Sequence, residues 1–185
     1  MRIIAGKHRG TVLADVGRGD AAAHLRPTSD RVRESLFSML THRNVIQGAR
    51  VLDLFAGTGA LGFEALSRGA GSVTFVENGR VAKKLIAENQ TKLRVADTTT
   101  ILSHDAAALP KWTQPPFDLV FLDPPYGKGM GQQALASARA GNWLAESATI
   151  IWEENAPMDA PVGFDRLDKR KYGDTWVTVL AAATP

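Results

Sequence analysis

The stretch Val51-Leu52-Asp53-Leu54-Phe55-Ala56-Gly57-Thr58-Gly59-Ala60-Leu61-Gly62 restricts the fold more than any other part of this chain. An apolar run of strand length leads directly into glycines, and a helical pattern follows from Ala60 to Arg68. A buried strand, a glycine-rich turn and a helix in that order open a βαβ unit and call for a parallel sheet. In such a turn Gly57 and Gly59 can let a ligand approach the backbone closely, since neither carries a Cβ. The helix that follows offers unpaired N–H groups and a partial positive charge at its start.

Gly57-x-Gly59-x-x-Gly62 fits the dinucleotide fingerprint, so a nicotinamide dinucleotide and S-adenosylmethionine are both candidate ligands. Asp53 favours the second. A carboxylate four residues before the first glycine suits a cationic amino group and is a poor neighbour for a pyrophosphate. Phe55 and Ala56 also intervene where a dinucleotide turn tends to place its first glycine at once. Phe55, within the turn, joins the candidate cofactor residues. Val73-Thr74-Phe75-Val76-Glu77 reads as the next strand, ending in an acid at ribose-binding spacing from the glycines. Thr99 to Asp105 reads as another strand, and Asp105 at its end can accept from an adenine amine.

Phe117 to Leu122 is a further buried strand, and Asp123-Pro124-Pro125-Tyr126 stops it. An acid, a stiff turn and an aromatic ring are thus presented at the carboxyl end of a strand, where ligands bind in open α/β sheets. The residue types suit the activation of an exocyclic nucleobase amine, whose lone pair is delocalised into the ring. Asp123 can accept one N–H and the Pro124 carbonyl the other, which leaves the lone pair aimed at an electrophile. Tyr126 can stack on a base taken out of its stack. Asp123, Pro124 and Tyr126 are therefore the candidate catalytic residues.

In series, Asp53, Gly57, Gly59, Glu77, Asp105 and Asp123-Pro124-Pro125-Tyr126 resemble the motifs of an amino-methylating class I S-adenosylmethionine-dependent methyltransferase. Two flanking segments sharpen the likeness, Arg2-Ile3-Ile4-Ala5-Gly6-Lys7-His8-Arg9-Gly10 and Arg26-Pro27-Thr28-Ser29-Asp30-Arg31-Val32-Arg33-Glu34-Ser35-Leu36-Phe37. With them the chain resembles the RsmD-like family of bacterial 16S rRNA guanine-N2 methyltransferases over nearly its whole length. The resemblance implies S-adenosyl-L-methionine as cofactor and the N2 amine of one guanine in 16S rRNA as target, met on free rRNA, the 30S subunit or an assembly intermediate. It also implies a Rossmann-like α/β fold, with a seven-stranded, mostly parallel sheet, helices on both faces and an antiparallel closing hairpin. The residues themselves leave other outcomes open: amine methylation of DNA adenine or protein glutamine, a nucleotide-dependent oxidoreductase, or a non-catalytic RNA-binding ribosome-assembly module.

Charge placement points to a polyanionic partner. Residues 1–43 hold eight Lys/Arg against four acids, whereas the remainder holds 14 against 15. All the excess positive charge therefore lies in the first quarter, and Arg2, Lys7, Arg9, Arg26, Arg31 and Arg33 are candidate phosphate contacts, with Lys128 beside the Tyr126 turn. Residues 1–43 are read as a basic N-terminal extension, a hairpin or arm plus a helix, and residues 44–185 as the catalytic domain. Gly17 to His24 reads as a loop. Asp30 to His42 reads as a helix capped by Ser29 or Asp30, with Val32, Leu36, Phe37, Met39 and Leu40 inward and Arg31 and Arg33 off that stripe.

Further helices are expected over Gly79 to Leu93 and Gln132 to Ala140, and a strand over Thr149 to Glu154. Phe164 to Lys171 and Thr175 to Ala181 read as the closing hairpin, and Trp112 as a packing residue. The chain has no cysteine and its four histidines match no metal spacing, so no metal site is expected. No apolar run approaches the ~20 residues of a membrane helix, and the start lacks a signal peptide's apolar length, so no membrane partner and a cytoplasmic location are expected. A monomer is the default expectation.

Overall fold

The computed structural model describes residues 1–15 and 29–183. In chain order its elements are α1 (Asp30–His42), β1 (Arg50–Leu54), α2 (Ala60–Ser67), β2 (Ser72–Val76), α3 (Arg80–Leu93) and β3 (Thr99–Leu102). β4 (Phe117–Leu122), α4 (Met130–Ala140), β5 (Leu144–Glu154), β6 (Phe164–Tyr172) and β7 (Thr175–Ala182) follow. The strands form one seven-stranded sheet in the order β3-β2-β1-β4-β5-β7-β6. β3, β2, β1, β4 and β5 run parallel, while β7 inserts antiparallel between β5 and β6.

Both faces of the sheet are covered, which is why its central strands are continuously apolar instead of alternating. Val51, Phe75, Phe121, Ile151, Val177 and Val179 meet Phe37 and Leu40 of α1, Phe63 of α2 and Ile86 of α3 on one face. Leu52, Val120, Leu122, Ile150, Trp152 and Leu180 meet Ala134, Leu135 and Ala138 of α4 on the other. Trp112 stacks on Trp143 with ring centroids 4.4 Å apart and lies 5.2 Å from Phe117, which fits the packing role expected of it.

The expected helices and strands are all present, with small shifts at their ends. β5 is longer than expected, starting at Leu144 rather than Thr149. The closing hairpin turns at Gly173-Asp174.

Residues 1–14 form a small hairpin with an antiparallel bridge between Arg2 and Val12. The Ile3 N–H donates to the Thr11 carbonyl at 2.9 Å, and the Gly10 N–H to the Ile3 carbonyl at 2.8 Å. This hairpin is fastened to α2. The buried Glu64 carboxylate accepts from the Ile4 N–H at 2.8 Å, the Ala5 N–H at 3.1 Å and Arg68 Nε at 2.7 Å. Ser67 Oγ donates to the Ala5 carbonyl at 2.6 Å and accepts from the His8 N–H at 2.9 Å. Gly6 lies so close that a Cβ there would come within 1.8 Å of the Ser67 carbonyl oxygen, and its φ is +83°. Ile3 and Leu13 thereby join the core shared by α1, α2 and the sheet. The Gly17 to His24 loop and Arg26 lie outside the described residues.

Candidate active site

Four of the parallel strands bring acids to their carboxyl ends. Asp53 is the penultimate residue of β1, Glu77 follows β2, Asp123 follows β4, and Glu153 and Glu154 close β5. In register Asp53 lies beside Phe121 and Phe75, so these acids gather at one edge of the sheet.

Asp53 is buried, and its Oδ2 accepts the Gly62 N–H at 2.9 Å in the first turn of α2. Burial pushes its carboxyl up to about 8, and the charges of Glu77 and Glu153 add to the rise, against the lowering effect of the Gly62 hydrogen bond. Glu77 uses both oxygens on backbone: Oε2 accepts from the Gly57 N–H at 3.0 Å and Oε1 from the Gly79 N–H at 2.7 Å. One carboxylate thus ties the glycine-rich turn to the start of α3. Each of its oxygens keeps a further lone pair for a ligand hydroxyl.

Phe55 adopts a left-handed backbone with φ 58°, a strain of roughly 1–3 kcal/mol of the kind that collects at ligand sites. At Gly59 a Cβ would stand 2.7 Å from the Phe63 ring and φ is +77°, so close packing and backbone conformation both call for glycine there. Gly57, with its N–H held by Glu77, lines the turn.

Asp123 is half-buried, Pro124 buried, and Tyr126 half-buried. Burial holds the Asp123 carboxyl well above the usual carboxylate range, and the charges of Glu153, Asp53 and Glu154 push it further the same way. The turn after Tyr126 is fastened to β5, because the Gly127 N–H donates to Glu154 Oε1 at 3.2 Å. Asp105 stands apart from this group. β3 ends at Leu102, and the exposed Asp105 caps a short 3-10 turn by accepting the Ala107 N–H at 2.9 Å. Lys83 of α3 donates to Ser103 Oγ at 2.6 Å and steadies the loop that carries it.

The described basic candidates divide into three groups. Arg2, Arg9 and Arg31 line a cleft of about 350 Å³ between the N-terminal hairpin and α1, together with Asp30 and Glu34. Lys7 and Lys128 are exposed outside it. Arg33, expected off the apolar stripe and free to meet RNA, is instead fully buried. Its Nη2 donates to Asp30 Oδ1 at 2.9 Å and to the Arg2 carbonyl. Burial lowers its pKa, and the charges of Glu64, Asp30 and Glu153 oppose that fall. The reason for the inward placement is helical. Arg33 lies four and seven residues before Phe37 and Leu40, on the face that enters the core.

Three positions carry more of the site than the sequence indicates. Glu153 sits under 2% exposed and acts electrostatically on Arg33, Asp53 and Asp123 together. Glu64 anchors the hairpin, and its signal is a lone acid inside the apolar helix Ala60–Ser67. Asn89 of α3 is fully buried and joins Ala14 to the glycine-rich turn, accepting from the Ala14 N–H at 2.6 Å and donating to the Thr58 carbonyl at 3.1 Å. Nothing local in the sequence marks it.

A doubly covered sheet with one reversed strand, whose parallel strands end in acids around a glycine-rich turn, defines a class I, Rossmann-like methyltransferase fold. Residues 1–181 match the model of a family described as Conserved hypothetical protein 95, and the chain belongs to that family, which is that of the ribosomal RNA small subunit methyltransferases D. It is 37% identical over 179 residues to the ribosomal RNA small subunit methyltransferase D of Haemophilus influenzae, covering 94% of this chain and 89% of that one. It is 36% identical to the protein of the same name from Escherichia coli, covering 87% and 78%. Among solved structures it is similar to a putative methyltransferase from Escherichia coli, with a TM-score of 0.83, 31% identity, and 100% and 99% of the two chains covered.

Proposed function

We propose that the protein transfers a methyl group from S-adenosyl-L-methionine to the exocyclic N2 of a guanine in 16S rRNA. The observation that carries the chemistry is the Asp123-Pro124-Pro125-Tyr126 turn at the end of β4, set among the carboxylates of Asp53, Glu153 and Glu154. The rRNA target is supported by the relatives named as small-subunit rRNA methyltransferases.

The donor set fits the cofactor. Asp53 and Asp123 are both raised by burial and by like charges, so their ionisation is costly until a cation stands beside them, and the site suits one. S-adenosylmethionine offers two positive groups, an ammonium and a sulfonium. Asp53, Phe55, the Gly57–Gly59 turn, Glu77 and Asp105 would hold it, with Glu77 on the ribose hydroxyls and Asp105 on the adenine amine. When bound it supplies a methyl on a sulfonium, which departs as a neutral thioether when an amine attacks.

The chain's own residues supply the orientation. Asp123 and the Pro124 carbonyl each accept one N–H of the guanine amine, and Tyr126 stacks on the base. Two prolines and the Gly127–Glu154 bond fix this turn in advance, so little freedom is lost on binding. Asp123 must be ionised to accept, and a neighbouring cation favours that form. It can then take the proton that the methylated nitrogen releases. The basic segment of residues 1–43 contributes phosphate contacts through Arg2, Lys7, Arg9 and Arg31, joined by Lys128 near the target.

Methyl transfer from labelled S-adenosylmethionine to 30S subunits, protein-free 16S rRNA, duplex DNA and a bacterial protein extract tests this, with products digested to nucleosides. Label in N2-methylguanosine is expected from one of the two rRNA substrates. Label in adenine or protein would keep the amine chemistry and overturn the target. No label anywhere, with cofactor binding intact, would leave a non-catalytic RNA-binding module.

A further inference from the structure

We propose that the tip of the β6–β7 hairpin is a second RNA contact, in which Trp176 and Lys171 hold a nucleotide flanking the target base. The inference rests on the RNA reading above and extends it to a surface on the opposite flank of the Tyr126 turn from β1.

β7 runs antiparallel to β5, so it begins where the parallel strands end. Glu154 pairs with Trp176, and Trp176 pairs with Lys171. With strands about 4.8 Å apart, Trp176 stands roughly 10 Å from the end of β4. Val177 and Val179 face the core beneath α1, α2 and α3, so alternation turns Trp176 to the α4 side, where Trp152 and Leu180 lie. Residues directly paired across antiparallel strands share a face. Trp176 therefore stands beside Glu154, the carboxylate that holds Gly127 directly after Tyr126.

The residue types at the tip suit a nucleotide. Trp176 is half-buried, and Lys171 Nζ lies 5.8 Å from its ring centroid. Lys169 is exposed and shares the Lys171 face by alternation. On the opposite face Arg170 and Arg43 both pair with Asp168, at 3.0 and 3.2 Å, and steady the strand instead of presenting free charge. Lysines on an edge strand discourage pairing with another chain, which would account for Lys169 and Lys171 alone. It does not account for a partly exposed tryptophan on the adjacent strand, covered by one of those lysines and paired with Glu154. A π-face with a cation beside it, next to lysines able to meet phosphates, is the chemistry of sequence-tolerant single-strand binding. A splayed-out guanine leaves its neighbours unstacked, and this platform would receive one of them.

The test compares wild type, Trp176→Leu and the double variant Lys169→Gln/Lys171→Gln on whichever rRNA substrate the wild type methylates. S-adenosylmethionine affinity and thermal melting are measured beside it. Trp176→Leu keeps an apolar side chain at the site while removing the ring. Both lysines are exposed, so the double variant reports even if Trp176→Leu fails to fold. KM for the RNA is expected to rise roughly tenfold in Trp176→Leu. In the lysine variant the log–log salt slope of RNA binding is expected to shrink by about 0.7 for each phosphate no longer neutralised. Cofactor affinity is expected to hold in both. Unchanged RNA KM and salt slope, with the wild type active, would overturn the inference and leave the RNA reading intact. A wild type that methylates no RNA would remove both. Weakened binding to 30S subunits but not to protein-free rRNA would assign the tip to a ribosomal protein and overturn the RNA contact.

Discussion

Asp53 Oδ2 accepts the Gly62 N–H at 2.9 Å, so strand β1 caps the helix that follows its own turn. The bond satisfies one of the free donors in the first turn of α2 but fixes a carboxylate in a buried, acid-rich place. Its pKa is raised from 3.8 to about 8, so the folded state holds a proton that the unfolded chain gives up near pH 4. That contribution to stability is complete below pH 4 and is lost as pH rises through 8. Ligand-free protein should therefore melt at falling temperature between pH 6 and 9. Asp53→Asn, which keeps an oxygen for Gly62, should flatten that fall and weaken cofactor binding. Melting curves at both pH values and calorimetric titration with S-adenosylmethionine check this.

Asp123→Ala separates chemistry from binding. Removing the acceptor that orients the amine should lower kcat by about 10²–10⁴-fold. Affinity for S-adenosylmethionine should fall by no more than about threefold, since Asp53, the Gly57–Gly59 turn and Glu77 are the residues proposed to hold it. Single-turnover assays beside cofactor titration would show the split, and preserved turnover would refute the orienting role.

Gly6→Ala tests the anchoring of the hairpin. The new methyl must displace the Ser67 carbonyl and adopt a backbone with φ +83°. A loss of roughly 2–4 kcal/mol is expected in urea unfolding, from overpacking and strain together.

Arg33→Met removes a buried guanidinium from among Asp30, Glu64 and Glu153. Stranding those carboxylates should destabilise the fold by roughly 3–5 kcal/mol. An RNA-contacting arginine would behave otherwise, weakening RNA binding with stability intact, so denaturation and binding assays together decide between the two roles.

What is legible in the sequence depends on where each signal is local. Phe117 to Leu122 can be read to the residue because two prolines end it. The start of β5 cannot, because Ala145-Glu146-Ser147-Ala148 is small and polar, with Ser147 at φ 58° and a register shift against β4. Arg33 misleads because a lone charge on a helix counts as outward unless its partners are known. Two of those partners, Glu64 and Glu153, are distant in sequence. The acids of the site are each visible, but their mutual effect is not. Glu153 reaches Asp123 only through the pairing of β4 with β5, and Arg33 only through the packing of α1 over the sheet.

The reversed strand also sets an order of events during synthesis. β5 cannot acquire its second neighbour until β7, the last strand in chain order, has been made. Until then a long apolar edge carrying Ile150, Ile151 and Trp152 stands open, a template for pairing with another chain. β6 emerges first but touches the rest of the sheet only through β7. A nascent chain stopped before Thr175 would hold its acids and its glycine-rich turn and still be sticky, which makes the closing hairpin the place where a truncation or a translational pause would be felt most.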